Sequence, residues 1–270
     1  MTEETNRIFI AAHPRSGSTF LCKLLERARE VRVYLEIFHF DYDIIDQHLQ
    51  GDLPFISQSM NLPADEKKAR DELVYRHHEF VSLLQNINPD KSIAFKVFPK
   101  HLPDKLLGEV INESKLIVLL RRNLLQSYIS SVISRKTQKW HGVDTSEERV
   151  EFNQADFVGH VRRVMDYYKR VTSLAEKYHI KLVALDYETL TISTDPIQVV
   201  SRALNGGLDH DINGNNGNLQ IFKQDKRNKA TEKILNAEEM MNYLEKFDLG
   251  MLNDGLVNCT DTDYARFDID

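Results

Sequence analysis

Cysteine is scarce in this 270-residue chain: only Cys22 and Cys259 occur, and neither lies in a spacing that would hold a metal. Cys22 falls inside a helical pattern and reads as a small core residue. Long apolar runs are missing too, and none approaches the roughly 20 residues needed to span a bilayer. The opening segment, MTEETNR, is polar and acidic, so it does not read as a secretory signal. Positive charge is in deficit, with a formal net charge of −6. That argues against broad nucleic-acid binding but leaves room for a local basic pocket. Internal repeats and clear linkers are also absent. These absences leave a soluble domain expected in the cytoplasm, with a homodimer left open.

Short β-rich runs alternate with longer helical patterns. Strands are predicted at 7–12, 31–35, 92–98, 115–120 and 181–186, the last three each a short apolar segment entered from a polar one. Helices are predicted at 17–30, 64–87, 102–112, 123–138, 146–178, 196–204 and 236–247. The helix at 146–178 carries Phe157, Val161, Val164, Met165, Tyr168, Val171, Ala175 and Tyr178 on one face, a core stripe. Asn236 followed by Glu239 marks a helix start with an acidic first turn. Strands separated by helices imply an α/β fold with a central parallel sheet flanked by helices. Residues 1–247 are expected to form a single domain, with 37–90 a helical insertion facing a substrate. Residues 248–270, rich in aspartate, are expected as a loosely packed acidic tail.

The stretch FIAAHPRSGSTFLCKLLER, residues 9–27, lacks the lysine of a nucleotide-hydrolase phosphate loop. The pattern GxxxxGK[ST] has Ala12 at its first glycine and Ser18 at its lysine. What remains is still an anion site. A helix N-terminus offers N–H groups and a positive dipole end. Gly17 permits close backbone approach, Ser16, Ser18 and Thr19 add hydroxyls, and Arg15 adds a guanidinium able to fork onto an oxyanion.

PRSGSTFL resembles the 5′-phosphosulfate loop of sulfotransferases that use 3′-phosphoadenosine 5′-phosphosulfate (PAPS). The resemblance puts Arg15 in the place of the loop cation and wraps Ser16–Phe20, that is Ser16, Gly17, Ser18, Thr19 and Phe20, around the phosphosulfate. A second motif, LIVLLRRNLLQSYISS at 116–131, is similar to the family's 3′-phosphate motif. There an arginine leaving a strand is followed eight residues later by a serine, and Arg122 and Ser130 match. Asn123 stands where the family often has aspartate and can still cap the helix. DYETL at 186–190 resembles the family's YE-type segment, which implies that Tyr187 reaches the adenine side. FKQDKRNKATEKILNAEEM at 222–240 looks like the closing K-Q segment, with Lys223, Gln224 and Arg227 as candidates for the 3′-phosphate or adenosine; a solvated basic loop is the competing reading. Together these imply a three-layer, P-loop-like sulfotransferase fold.

Sulfuryl transfer needs in-line geometry, charge stabilisation on the leaving oxygen and a base for the acceptor hydroxyl. The family's 3′-phosphoadenosine 5′-phosphate (PAP) is a good leaving group, so no metal is expected to be required. Two bases compete. Glu36, in YLEIFHF, resembles the E-x-F element of bacterial glycolipid-type sulfotransferases. His101, in FKVFPKHLPDKLL, resembles the histidine of the cytosolic K-T-H-L-P element, although Pro99 stands where the lysine is expected; Lys96 is the preferred carrier of that cation. The N-terminal motif and the K-Q segment lean toward Glu36 and toward a carbohydrate or glycolipid acceptor, with other small-molecule hydroxyls open. DHDINGNNGNLQ at 209–220 lacks the closing glutamate of a calcium loop. His39, Asp41, Asp43, Asp46 and His48 crowd one segment without a common metal spacing, and read as a polar, acceptor-facing helix. Trp140 is read as a sugar platform or a loop anchor. Two rival functions stand beside the sulfotransferase: a P-loop small-molecule kinase, and a silent nucleotide-binding protein.

Overall fold

The protein is described by a computed structural model covering residues 6–138, 144–204 and 229–246. Five strands form one sheet: β1 (Arg7–Ala12), β2 (Val31–Val33), β3 (Ser92–Val97), β4 (Lys115–Leu120) and β5 (Leu182–Asp186). Their order is β2-β3-β1-β4-β5, and every pairing is parallel. Strands β1, β3 and β4 are buried over nearly their whole length, which is why they read as continuous apolar runs rather than alternating ones. The edge strand β5 is half-exposed.

The strands are joined by α1 (Ser18–Leu25), α2 (Tyr42–Leu49), α3 (Leu53–Met60), α4 (Glu66–Tyr75), α5 (His77–Ile87), α6 (Asp104–Asn112), α7 (Leu124–Thr137) and α8 (Gln154–Lys177). After β5 come α9 (Tyr187–Ile192), α10 (Pro196–Ala203) and α11 (Ala237–Lys246). The α/β class with a parallel sheet is thus as expected. The predicted helix 64–87 is two helices, because Arg76 leaves helical geometry at φ −98°, ψ 36°. Its guanidinium donates to the Met60 carbonyl at 2.7 Å and forks onto Glu79. The helix predicted from 146 starts at Gln154, where Asn153 accepts from the Asp156 N–H at 2.9 Å. DYETL, read as a segment after the last strand, forms α9, capped by Asp186 on the Thr189 N–H at 2.7 Å.

The chain divides into two compact units. One, residues 1–13, 17–120 and 168–215, holds the whole sheet. Its core contains an edge-to-face aromatic chain: Phe9 on Phe95 at 5.8 Å, Phe95 on Phe38 at 5.8 Å, and Phe38 on Phe80 at 5.9 Å. The other, residues 14–16, 121–167 and 216–270, packs Tyr128 against Phe152 and Phe157, with Tyr243 at 5.7 Å from Phe152. Asn236 exchanges two hydrogen bonds with the Phe152 backbone and meets Glu239 at 2.8 Å, fixing the start of α11. Among the described residues no helix is long and apolar enough to cross a membrane. Lys223, Gln224, Arg227, Trp140, the 209–220 turn and the 248–270 tail lie outside the described residues.

Phe95 is fully buried between Phe9 and Phe38. Truncation to alanine removes ring contacts and leaves a cavity, so Phe95→Ala is expected to cost about 3–5 kcal/mol. A fall in the urea midpoint with an unchanged slope checks it.

Candidate active site

In the first unit the sheet presents a buried polar cluster. Strand β2 ends at Val33, but its pairing persists: Tyr34 N–H donates to the Ala94 carbonyl and Lys96 N–H to the Leu35 carbonyl, at 2.7 and 2.8 Å. This places Glu36 just past the C-terminal end of β2, the side of a parallel sheet where ligands bind in α/β folds. Lys96, near the end of β3, is 1% exposed. Its ammonium sits 3.0 Å from Glu36 Oε1 and donates to Thr19 Oγ1 at 3.2 Å. Thr19 belongs to the first turn of α1, so Lys96 links Glu36 to the loop helix.

Three histidines surround Glu36, two at its carboxylate and one at its backbone. His101 Nε2 is 3.8 Å from Glu36 Oε2, and its Nδ1 accepts from the Phe98 N–H at 3.3 Å. His39 Nε2 lies 4.0 Å from Glu36 Oε2, and its ring edges onto His101. His48, on α2, accepts from the Glu36 backbone N–H at 3.1 Å. The structure therefore brings Glu36, Lys96, His101 and Thr19 together, as well as two histidines whose role the chain's local spacing did not reveal. Their signal was the crowding of His39 and His48 among acidic residues, which marks a polar segment but not its target. Glu36, His39 and His101 offer ligand atoms within 4.8 Å of one another, though the other Glu36 oxygen already faces the Lys96 ammonium.

Electrostatics follow from this packing. Burial alone would raise the Glu36 carboxyl, but the charge and hydrogen bond of Lys96 outweigh it and hold Glu36 below its ordinary value. Burial pushes His101 down to about 4 and also lowers His48. Glu36 is thus an anion and His101 a neutral imidazole. Cys22 is pushed up to about 12 by burial, which makes it an inert core thiol.

Gly17, in the first unit, caps α1 in the left-handed region at φ 89°. A β-carbon there would fall 2.1 Å from Tyr187 Cδ2, and the Tyr187 ring also meets Phe20 edge-on at 6.2 Å. Tyr187 therefore packs on the loop itself. In the second unit Arg15 is also left-handed, at φ 69°. Its carbonyl accepts from Arg121 Nη1 at 2.7 Å, and its Nε donates to Ser130 Oγ at 2.8 Å. Arg121 thus holds the loop backbone. Arg122 and Ser130 both stand after β4, Arg122 half-buried just past the strand and Ser130 on α7. Asn123 caps α7 by accepting from the Gln126 N–H at 2.8 Å. Ser16 Oγ is buried and completes no hydrogen bond. Such an orphaned hydroxyl in an anion loop fits a ligand oxygen.

Two outcomes are expected. An alanine at Gly17 meets both a positive φ and the Tyr187 ring, so Gly17→Ala should lower stability by at least about 1 kcal/mol; Tyr187→Ala relieves the contact but not the backbone strain, giving partial rescue of the melting temperature. For His101, the folded state sheds a proton that the unfolded chain keeps between pH 6.5 and about 4. Stability is then lost as pH falls through that window. His101→Gln should flatten the melting-temperature profile there, but only in part, because His48 shifts in the same direction.

Comparison with known proteins supplies the family. The model of the Sulfotransferase family matches residues 7–205. No curated protein sequence matches. Solved structures that match include a sulfotransferase domain from the curacin biosynthetic pathway, at 15% identity over 75% of this chain and 74% of that one, TM-score 0.46. Mouse sulfotransferase SULT7A1 complexed with PAP matches at 13% identity over 77% of this chain and 66% of that one, TM-score 0.39. Retinol dehydratase in a complex with retinol and PAP matches at 18% identity over 100% and 72%, TM-score 0.39. The family model spans well over half of the sequence and contains both the PRSGST loop and the arginine–serine motif, and the chain belongs to the sulfotransferase family.

Proposed function

We propose that this protein transfers a sulfuryl group from PAPS to a hydroxyl of a carbohydrate or glycolipid acceptor. The observation that carries the reading is Lys96, a buried cation that touches Glu36 on one side and the loop residue Thr19 on the other. A base for the acceptor and a loop for the donor are thereby joined through one ammonium. In this reading Arg15, Ser16, Gly17, Ser18, Thr19 and Phe20 hold the 5′-phosphosulfate, Arg122 and Ser130 the 3′-phosphate, and Tyr187 the adenine side. Lys223, Gln224 and Arg227, outside the described residues, are the candidates for the remaining contacts to the 3′-phosphate or adenosine.

The acceptor oxygen attacks sulfur in line, the bond from sulfur to the bridging oxygen breaks, and PAP leaves with the negative charge. Glu36 takes the acceptor proton. His101 is the weaker candidate for that role: Nδ1 accepts from the Phe98 N–H, leaving the proton on Nε2 facing Glu36. At rest Lys96 depresses the basicity of Glu36. When Lys96 turns to the charge building on the leaving oxygen, Glu36 loses its cation and becomes a stronger base, so the two steps assist each other. Arg15 and Lys96 carry the charge stabilisation, which lets the reaction proceed without a metal. For the acceptor, Phe40 is 67% exposed and stacks on His39 at 4.1 Å. It offers a flat apolar face of the kind that packs against a sugar ring or an acyl chain.

Binding and turnover test the proposal separately. PAP at 100 times its dissociation constant should stabilise the fold by roughly 2.7 kcal/mol, weakened in Arg122→Ala. Glu36→Gln should keep that thermal shift and lower sulfuryl transfer to a hydroxyl panel by about 10²–10⁴-fold. A shift with ATP and magnesium but none with PAP would overturn the donor assignment and point to a kinase. PAP binding with no transfer to any acceptor would point to a silent nucleotide-binding protein.

A further inference from the structure

A second polar cluster lies beside the N-terminal edge of the sheet, away from the strand ends that carry Glu36 and Lys96. It joins the first turn of α5 to the last turn of α6. His77 and His78 open α5 with their ring centroids 3.9 Å apart. Glu109 projects from α6, and Glu113 caps that helix.

The distances suit a metal better than hydrogen bonds. His77 Nε2 is 3.4 Å from Glu109 Oε2, and His78 Nε2 is 3.7 Å from the same oxygen. Both exceed the roughly 2.9 Å of a good N–H···O bond. Ligands at about 2.0–2.1 Å from a tetrahedral zinc ion stand roughly 3.3–3.4 Å from each other, close to what is seen here. All three ligand atoms fall within 4.8 Å of one another.

The surrounding groups point the same way. His77 is 2% exposed; the Val74 carbonyl lies close enough to act on its ring as an acceptor, while the Nε2 that faces Glu109 completes no hydrogen bond. A buried imidazole aimed at a carboxylate without a bond is a group lacking its partner. His78 Nδ1 sits 2.9 Å from Glu113 Oε1, so that its other ring nitrogen, Nε2, is the one that faces Glu109. Carboxylate–histidine pairs of this kind orient metal ligands. Arg7, the first residue of β1, holds the other Glu113 oxygen at 2.6 Å and reaches Ser82 at 3.0 Å, so the outer carboxylate is itself fixed in place.

We propose that His77, His78 and Glu109 bind one zinc ion, with Glu113 orienting His78 and water completing the coordination. Two imidazoles and a single carboxylate favour zinc or a similar transition ion over magnesium or calcium, which prefer oxygen donors. The ion would clip α5 to α6 and is independent of sulfuryl transfer.

The test is isothermal titration of the chelator-treated full chain with zinc chloride, with metal content counted by elemental analysis. One zinc per chain is expected, together with a rise in melting temperature. Glu109→Gln, a half-exposed change that leaves the core intact, should abolish stoichiometric binding. Glu113→Gln should weaken it by about 10–100-fold. Absence of one-to-one binding overturns the proposal. So does zinc that survives Glu109→Gln but is lost in His39→Gln, because that ion would belong to the Glu36 cluster.

Discussion

A lysine ammonium inside a sheet core must be neutralised, and the arrangement around Lys96 follows from that need. At 1% exposure a lone charge would cost several kcal/mol in lost hydration. Glu36 supplies the opposite charge at 3.0 Å, and Thr19 supplies an acceptor at 3.2 Å. The pair is a costly way to stabilise a core, since apolar residues of similar size often serve as well. In the proposed reaction, a charged couple poised at the C-terminal ends of parallel strands can release one partner when a substrate brings new charge.

The histidines serve the same couple. His48 takes the Glu36 backbone N–H, while His101 and His39 face its free oxygen. Burial keeps His101 neutral, so it adds no full positive charge beside that of Lys96. In the proposed reaction, a base restrained by a detachable cation can recover its strength; one surrounded by fixed cations could not. The loop is held by different means. Arg15 and Gly17 both occupy the left-handed region, and in the case of Arg15 the cost is met by Arg121 on its carbonyl and Ser130 on its side chain. At Gly17 the Tyr187 ring occupies the space where a side chain would be.

Much of the fold was legible because burial on both faces makes β1, β3 and β4 apolar without interruption, and helices between them force parallel pairing. Phe157, Val161, Val164, Tyr168, Val171 and Ala175 do face the core, since helical period is a local property. The break at Arg76 was not legible. The residues around it suit a continuous helix, and what bends the chain there includes a bond to Met60, sixteen positions away in sequence. The shortness of β2 was hidden for a similar reason: Tyr34 and Leu35 still bond to β3, so their composition is that of a strand.

The sequence alone determined the α/β class, the anion loop with its displaced cation, and the arginine–serine spacing after the fourth strand. Those features are local, written in the period of apolar residues and in short motifs. Only the tertiary structure decided that Glu36, His39, His48, Lys96 and His101 meet, that Arg121 grips the loop, and that His77 and His78 face Glu109. Glu36 and Lys96 come from elements far apart in the chain, and the register of parallel strands sets their distance. No local pattern records that register, because each strand satisfies its own hydrogen bonds in the same way whichever neighbour it meets.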